Sequence, residues 1–308
     1  MEPKKPRLII ILGPTAIGKS NLAIELAKRI NGEIVNADSL QVYRYLDIGT
    51  AKPTKEEQRG IAHHLIDLIN PDIEFNAGLF RKYAINKINE LSKGSSKIII
   101  VGGTYLYVRV LIYGLLEGVE GNKNIRKTIR NLKSSFGISF LYEKLKSLDF
   151  DAASRIHPND YLRIERALEA YYLTGEKMSE LQKKHGFKGN EYRVLKIGLS
   201  EERDILRKRI DERVDVMIEK GLVDEVKKLR GMGYGTDLKP MQSIGYKKIN
   251  NYLDGEFALD RAIELIKRDT KRFAKRQMTW LRSDKEIRWY RQPVNLDDIV
   301  NEVMNFYN

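Results

Sequence analysis

The chain has 308 residues and no cysteine, and 55 Lys plus Arg face 42 Asp plus Glu, a formal charge of +13. Without cysteine there are no disulfides, thiolate metal sites or thiol nucleophile, which suits a reducing compartment. No apolar run approaches the roughly 18 residues of a membrane helix. The basic balance favours a polyanionic partner, nucleic acid before a membrane surface, and a cytoplasmic location is expected.

Lys4, Lys5 and Arg7 precede an apolar run as in a secretion signal, but that run, residues 8–12, is too short and reads as a buried strand. It breaks into Gly13-Pro14-Thr15-Ala16-Ile17-Gly18-Lys19-Ser20, the G-x-x-x-x-G-K-[ST] phosphate-loop pattern. In such a loop backbone N–H groups turn inward on a phosphate, and the next helix offers its positive end. Lys19 supplies a point charge for the terminal phosphate oxygens, and the Ser20 hydroxyl is placed for Mg²⁺. Leu22, Ala23, Leu26, Ala27 and Ile30 then recur at helical spacing, completing strand, loop and helix.

Gly32 is expected to cap that helix, and residues 33–37 to form a second strand ending at Asp38-Ser39. Ligands of open parallel sheets sit beyond the carboxyl ends of the strands, so Asp38 and Ser39 share the rim of the phosphate loop. Asp38 reads either as a helix N-cap or as a general base or metal-shell carboxylate. Adjacent His63 and His64 point in different directions on any regular element, which favours packing or a substrate loop over a metal site. A helix is expected over 79–91 and a third strand over 97–101, opening into Gly102-Gly103-Thr104-Tyr105. That strand lacks the terminal acid with which nucleotide hydrolases position Mg²⁺; the second strand has one, Asp38.

Over 116–190 strand-like runs give way to basic helical segments, with Asp160 as a cap and Arg163 and Arg166 on one helix face. Residues 194–199 read as a return to the sheet. A long helix follows, with Arg203, Arg207 and Arg213 beside an Ile210, Val214 and Met217 stripe, ending at Gly221. Residues 241–247 read as a loop before a last notable helix. There Arg268, Lys271, Arg272, Lys275 and Arg276 make a basic face opposite Phe273, Gln277, Trp280 and Leu281. The expected fold is α/β: a P-loop-type parallel sheet core flanked by helices, over 1–115 and 191–308, with a mainly helical insertion at 116–190.

Taken together, GPTAIGKS (13–20), DSLQVYRYLDIGTAKP (38–53), HHLID (63–67), VGGTYLY (101–107), PNDYLRIERALE (158–169), QSIGYK (242–247) and KRQMTWLR (275–282) resemble the tRNA dimethylallyltransferases from end to end. Tyr105 stands where that family usually has glycine, and Leu40 where methionine is common. The resemblance implies transfer of a dimethylallyl group from dimethylallyl diphosphate to N6 of adenosine 37 in tRNAs reading UNN codons. The insertion would grip the anticodon stem-loop, in a monomer.

The phosphate loop and Lys19 would hold the leaving diphosphate with Mg²⁺ at Ser20. By resemblance Arg213 adds a guanidinium fork, Asp38 takes the amine proton, and Thr104 contacts the reacting end. Ser39, Leu40, Gln41, Arg126, Gln242 and Gly245 fall at positions that the family gives to tRNA. Arg163, Arg166, Lys275, Arg276 and Arg282 would hold the RNA backbone. An adenylate isopentenyltransferase acting on free AMP, ADP or ATP would lack the basic insertion and the KRQMTWLR segment. A small-molecule P-loop kinase needs no charge of +13, and a non-catalytic nucleic-acid binder would leave Asp38 and Thr104 without a role.

Overall fold

The computed structural model describes residues 5–116, 118–189 and 191–308; Lys4 and Asn190, used above as landmarks, lie outside that range. The chain divides into two compact units, residues 1–112 with 190–308, and residues 113–189.

The first unit is built on six parallel strands in the order β3-β2-β4-β1-β5-β6. These are β1 (Arg7–Leu12), β2 (Gly32–Asn36), β3 (His63–His64), β4 (Lys97–Val101), β5 (Arg193–Ser200) and β6 (Ile287–Arg291). The two middle strands, β4 and β1, are apolar from their second residue on because helices cover both faces of a parallel sheet. Ile9 and Ile11 alternate onto one face, against Ala23, Leu26, Ala27 and Ile30 of α1 (Lys19–Ile30) and Ile299 and Val303 of the last helix. Burying each such isoleucine contributes about 2 kcal/mol.

Between β2 and β4 lie α2 (Lys55–Gln58) and α3 (Ala77–Leu91). The side chain of Asn76 accepts from the Leu79 N–H and so starts α3 two residues earlier than its apolar periodicity indicates. After β4 comes α4 (Tyr105–Tyr113), and the chain leaves this unit at its end.

The second unit holds α5 (Lys123–Leu148), α6 (Phe150–Ala153), α7 (Tyr161–Thr174) and α8 (Met178–His185), and no strand is among its described residues. Gly137 kinks α5 at φ 82°. Ile129, Leu141, Leu145, Ile164 and Leu168 form its core. Asp160 caps α7 as expected. The side chain of Glu169 is fully buried and accepts from Arg126 Nε (2.8 Å), Arg166 (2.7 Å) and the Asn122 N–H (2.7 Å).

Back in the first unit, β5 leads to α9 (Arg203–Glu219), α10 (Leu222–Gly231), a 3₁₀ turn (Pro240–Gln242), α11 (Ile244–Leu253), α12 (Leu259–Arg282), β6 and α13 (Leu296–Tyr307).

Several local readings change. Asn31, not Gly32, is the left-handed cap of α1, and Gly32 already pairs in β2. The short polar side chain of asparagine tolerates that conformation. Gly221 is the N-cap of α10 and not the stop of α9, which ends through Lys220. Residues 244–247, read as loop, open α11. Two strands escaped the sequence. β3 is two residues long, and β6 (IRWYR) is an exposed edge strand without the apolar run of a central one.

Candidate active site

The turn after β1 needs Gly13, because a Cβ there would lie 3.0 Å from the Ile17 side chain and 3.1 Å from the Leu199 carbonyl. Gly18 enters α1 at φ 94°. Lys19 begins the helix and donates through Nζ to the Pro14 carbonyl at 2.7 Å, while Ser20 follows on the exposed first turn. Burial and the neighbouring Arg213 lower the Lys19 ammonium to about 7, against the opposing charge of Asp38. Arg213, half-buried on α9, is likewise lowered by burial and supported by Asp38. Three charged side chains from β1–α1, β2 and α9 therefore act on one another electrostatically.

The rim opposite is shaped by a close approach of backbones. A Cβ on Gly102 would sit 2.3 Å from the Ala37 carbonyl, so only glycine lets the ends of β2 and β4 meet. Thr104 is thereby brought to Ser39: its Oγ1 accepts from the Ser39 N–H and donates to Ser39 Oγ, both at 3.1 Å. Asp38 is not a helix cap. One carboxylate oxygen accepts from the Leu40 N–H at 2.9 Å and turns the chain, since no helix follows. The other, Oδ2, lies beside Gly103.

Thr15, Lys19, Ser20, Asp38, Gln41 and Arg213 line a cleft that opens to solvent. Ile34, Ile66, Val101 and the exposed ring of Phe273 add apolar wall. His63 also lines it. Its ring is held at 2.9 Å from the Ile61 carbonyl and kept toward the neutral form by burial, while His64 binds Glu33 at 2.7 Å. The two histidines thus diverge, and no cluster of three or more metal-ligating side chains occurs among the described residues.

The Ser20 hydroxyl at the end of the phosphate-loop pattern and the Asp38 carboxylate line the same cleft and are donors that suit Mg²⁺. That fits an ion which keeps several waters and binds mainly through substrate phosphates.

Gln277 of α12 is the residue whose place the sequence did not reveal. Nearly buried, it accepts the Thr15 N–H on Oε1 and donates from Nε2 to the Gly103 carbonyl, both at 2.9 Å. One side chain thus ties the phosphate loop to the turn carrying Thr104. A glutamine between buried Ala274 and Leu281 was the available signal, because a polar group on an apolar stripe needs a partner.

Lys275, Arg276 and Arg282 are exposed on α12 and have no ion-pair partner among the described residues. Lys271 instead pairs with Asp211, and Arg268 and Arg272 with Asp269. Gln242 ends the 3₁₀ turn before α11, Gly245 lies in the first turn of α11, and neither lines the cleft. In the second unit Arg126 and Arg166 are engaged by Glu169, and Arg163 by Asp160 at 3.4 Å.

A family model described as IPP transferase matches residues 41–284. The chain belongs to the IPP transferase family. Among its relatives, a tRNA dimethylallyltransferase of Geobacter metallireducens is 50% identical over 100% of this chain and 99% of its own. The solved tRNA isopentenylpyrophosphate transferase of Bacillus halodurans has a TM-score of 0.72 at 41% identity, covering 98% of this chain and 96% of that one. A eukaryotic dimethylallyltransferase captured acting on tRNA has a TM-score of 0.80 at 30% identity, covering 93% and 74%. In this IPP transferase the Tyr105 ring is buried and its hydroxyl donates to Asp284 at 2.5 Å. No described helix is long and apolar enough to cross a membrane.

Proposed function

We propose that this IPP transferase moves a dimethylallyl group from dimethylallyl diphosphate to N6 of adenosine 37 in the anticodon loop of tRNAs reading UNN codons, releasing diphosphate. The observation that carries the reading is one cleft lined by an anion cradle and by a carboxylate at the opposite rim.

In this reading the loop N–H groups, Lys19 and Arg213 bind the diphosphate and stabilise the charge that builds as the allylic C–O bond breaks. Mg²⁺ held by the Ser20 hydroxyl and phosphate oxygens would neutralise part of that charge. The exocyclic amine attacks the allylic carbon and loses a proton to the Asp38 carboxylate, which lines the cleft. Thr104 and Ser39, bonded to each other, orient the base at the rim. Ile34, Ile66 and Val101 offer the apolar wall that a prenyl tail requires.

An unpaired loop base costs little to extrude, which suits entry into such a cleft. Lys275, Arg276 and Arg282 contact the backbone without reading sequence. The net charge of +13 and the basic α12 favour RNA over a free nucleotide as acceptor.

The test is transfer of labelled dimethylallyl diphosphate to an anticodon stem-loop, with AMP as parallel acceptor and Asp38→Ala as second enzyme. Labelled stem-loop, unlabelled AMP and a folded but inactive Asp38→Ala protein are expected. Label on AMP instead would assign a free-nucleotide enzyme.

A further inference from the structure

Glu225 of α10 belongs to none of the motifs noted above, yet it takes hold of the segment that forms one wall of the cleft. Its Oε2 accepts from the N–H groups of Asp47 (3.0 Å) and Ile48 (2.7 Å), and its Oε1 from that of Gly49 (3.1 Å). Oε1 also receives the hydroxyl of Tyr246, a fully buried residue of α11.

Three consecutive backbone donors on one carboxylate form a concave anion seat, here filled by a side chain of the same chain. The seat leaves no room for error at Gly49, where a Cβ would stand 2.5 Å from the Tyr246 ring. The far end of the segment is pinned separately. Nζ of Lys52 reaches Asp47 and Asp67, both at 2.6 Å, and the Tyr43 carbonyl at 2.8 Å.

From this anchored turn the order passes into the cleft. Gln41 Nε2 donates to the carbonyls of Thr50 and Ala51, each at 3.2 Å, and all three residues line the cleft. The diphosphate side is held by other means, through β1, α1 and Gln277.

We infer that Glu225, with Tyr246, is a positioning residue for acceptor binding: it fixes the 47–51 turn so that Gln41 is presented to the RNA. This rests on the RNA acceptor of the proposed function. Glu225 touches no reacting atom and acts through the backbone it holds.

The isosteric Glu225→Gln replaces one acceptor with a donor facing N–H groups, and Tyr246→Phe removes one hydroxyl while keeping the ring. In Glu225→Gln the amides of residues 47–49 should exchange hydrogen at least tenfold faster than in the unaltered protein. KM for the stem-loop should rise tenfold or more while KM for dimethylallyl diphosphate stays within twofold. Tyr246→Phe should move both readouts in the same direction by a smaller factor.

Unchanged exchange at 47–49 overturns the clasp. An unchanged stem-loop KM, or equal losses in both KM values, overturns its role in acceptor binding. If the unaltered protein labels no RNA, the proposed function fails instead, and Gln41 has no RNA to be presented to; the exchange arm then still decides whether Glu225 holds the turn.

Discussion

With Lys19 lowered to about 7 by burial beside Arg213, much of its population is neutral in the free protein at physiological pH. A diphosphate bound against it favours the ammonium, so binding must take up a proton. From a free value of about 7, uptake should be roughly half a proton at pH 7 and roughly 0.9 at pH 8. Affinity should correspondingly fall toward tenfold per pH unit above 7, or about 1.4 kcal/mol per unit.

The same group affects folding with a definite sign. Its folded value lies below the unfolded one, so between about 7 and 10.5 the unfolded chain binds more protons, and stability of the free protein rises with pH across that window. Lys19→Met should flatten this slope and abolish the proton uptake. The assay is calorimetric titration of dimethylallyl diphosphate in buffers of different ionisation enthalpy at pH 7 and 8, with Lys19→Met separating protein protons from ligand protons. Equal uptake by both proteins would refute an amine poised by burial.

Gln277→Ala strands the Thr15 N–H and the Gly103 carbonyl, so a loss of roughly 2–4 kcal/mol is expected by urea unfolding, with KM for the diphosphate raised. Burial tends to raise the Asp284 carboxyl, but Lys196 (2.7 Å) and Tyr105 outweigh it and hold it below its usual range. Lys196→Met should therefore cost roughly 3 kcal/mol and bring acid unfolding to higher pH; an unmoved acid transition would show the pair to be inert. Glu169→Ala in the second unit leaves Arg126 and Arg166 without their shared buried partner. Circular dichroism melts should report a drop of roughly 3 kcal/mol, and an unchanged melt would mean that water replaces the carboxylate freely.

The phosphate loop with Lys19, the four central strands, and helices α1, α3, α9 and α12 were legible in the sequence. Each is written locally: apolar runs of strand length, glycines at an obligatory turn, and apolar residues at helical spacing. The edge strands were not, since two residues (His63–His64) or a polar pattern (Ile287–Arg291) become strands only through the neighbour they pair with. Asp38 could be read as a cap or a base, and only the chain path after it, a turn closed on Leu40, removed the cap.

The sequence by itself determined the class of sheet, the anion cradle and the family's motifs. Tertiary structure alone decided that Gln277, 262 residues from Thr15, closes the phosphate loop, and that Glu225, 178 residues from Asp47, holds the 47–49 turn. The reason is physical. A backbone turn announces itself through the few residues able to adopt it, whereas a glutamine or glutamate acquires its meaning from whichever unpaired N–H groups the fold carries to it.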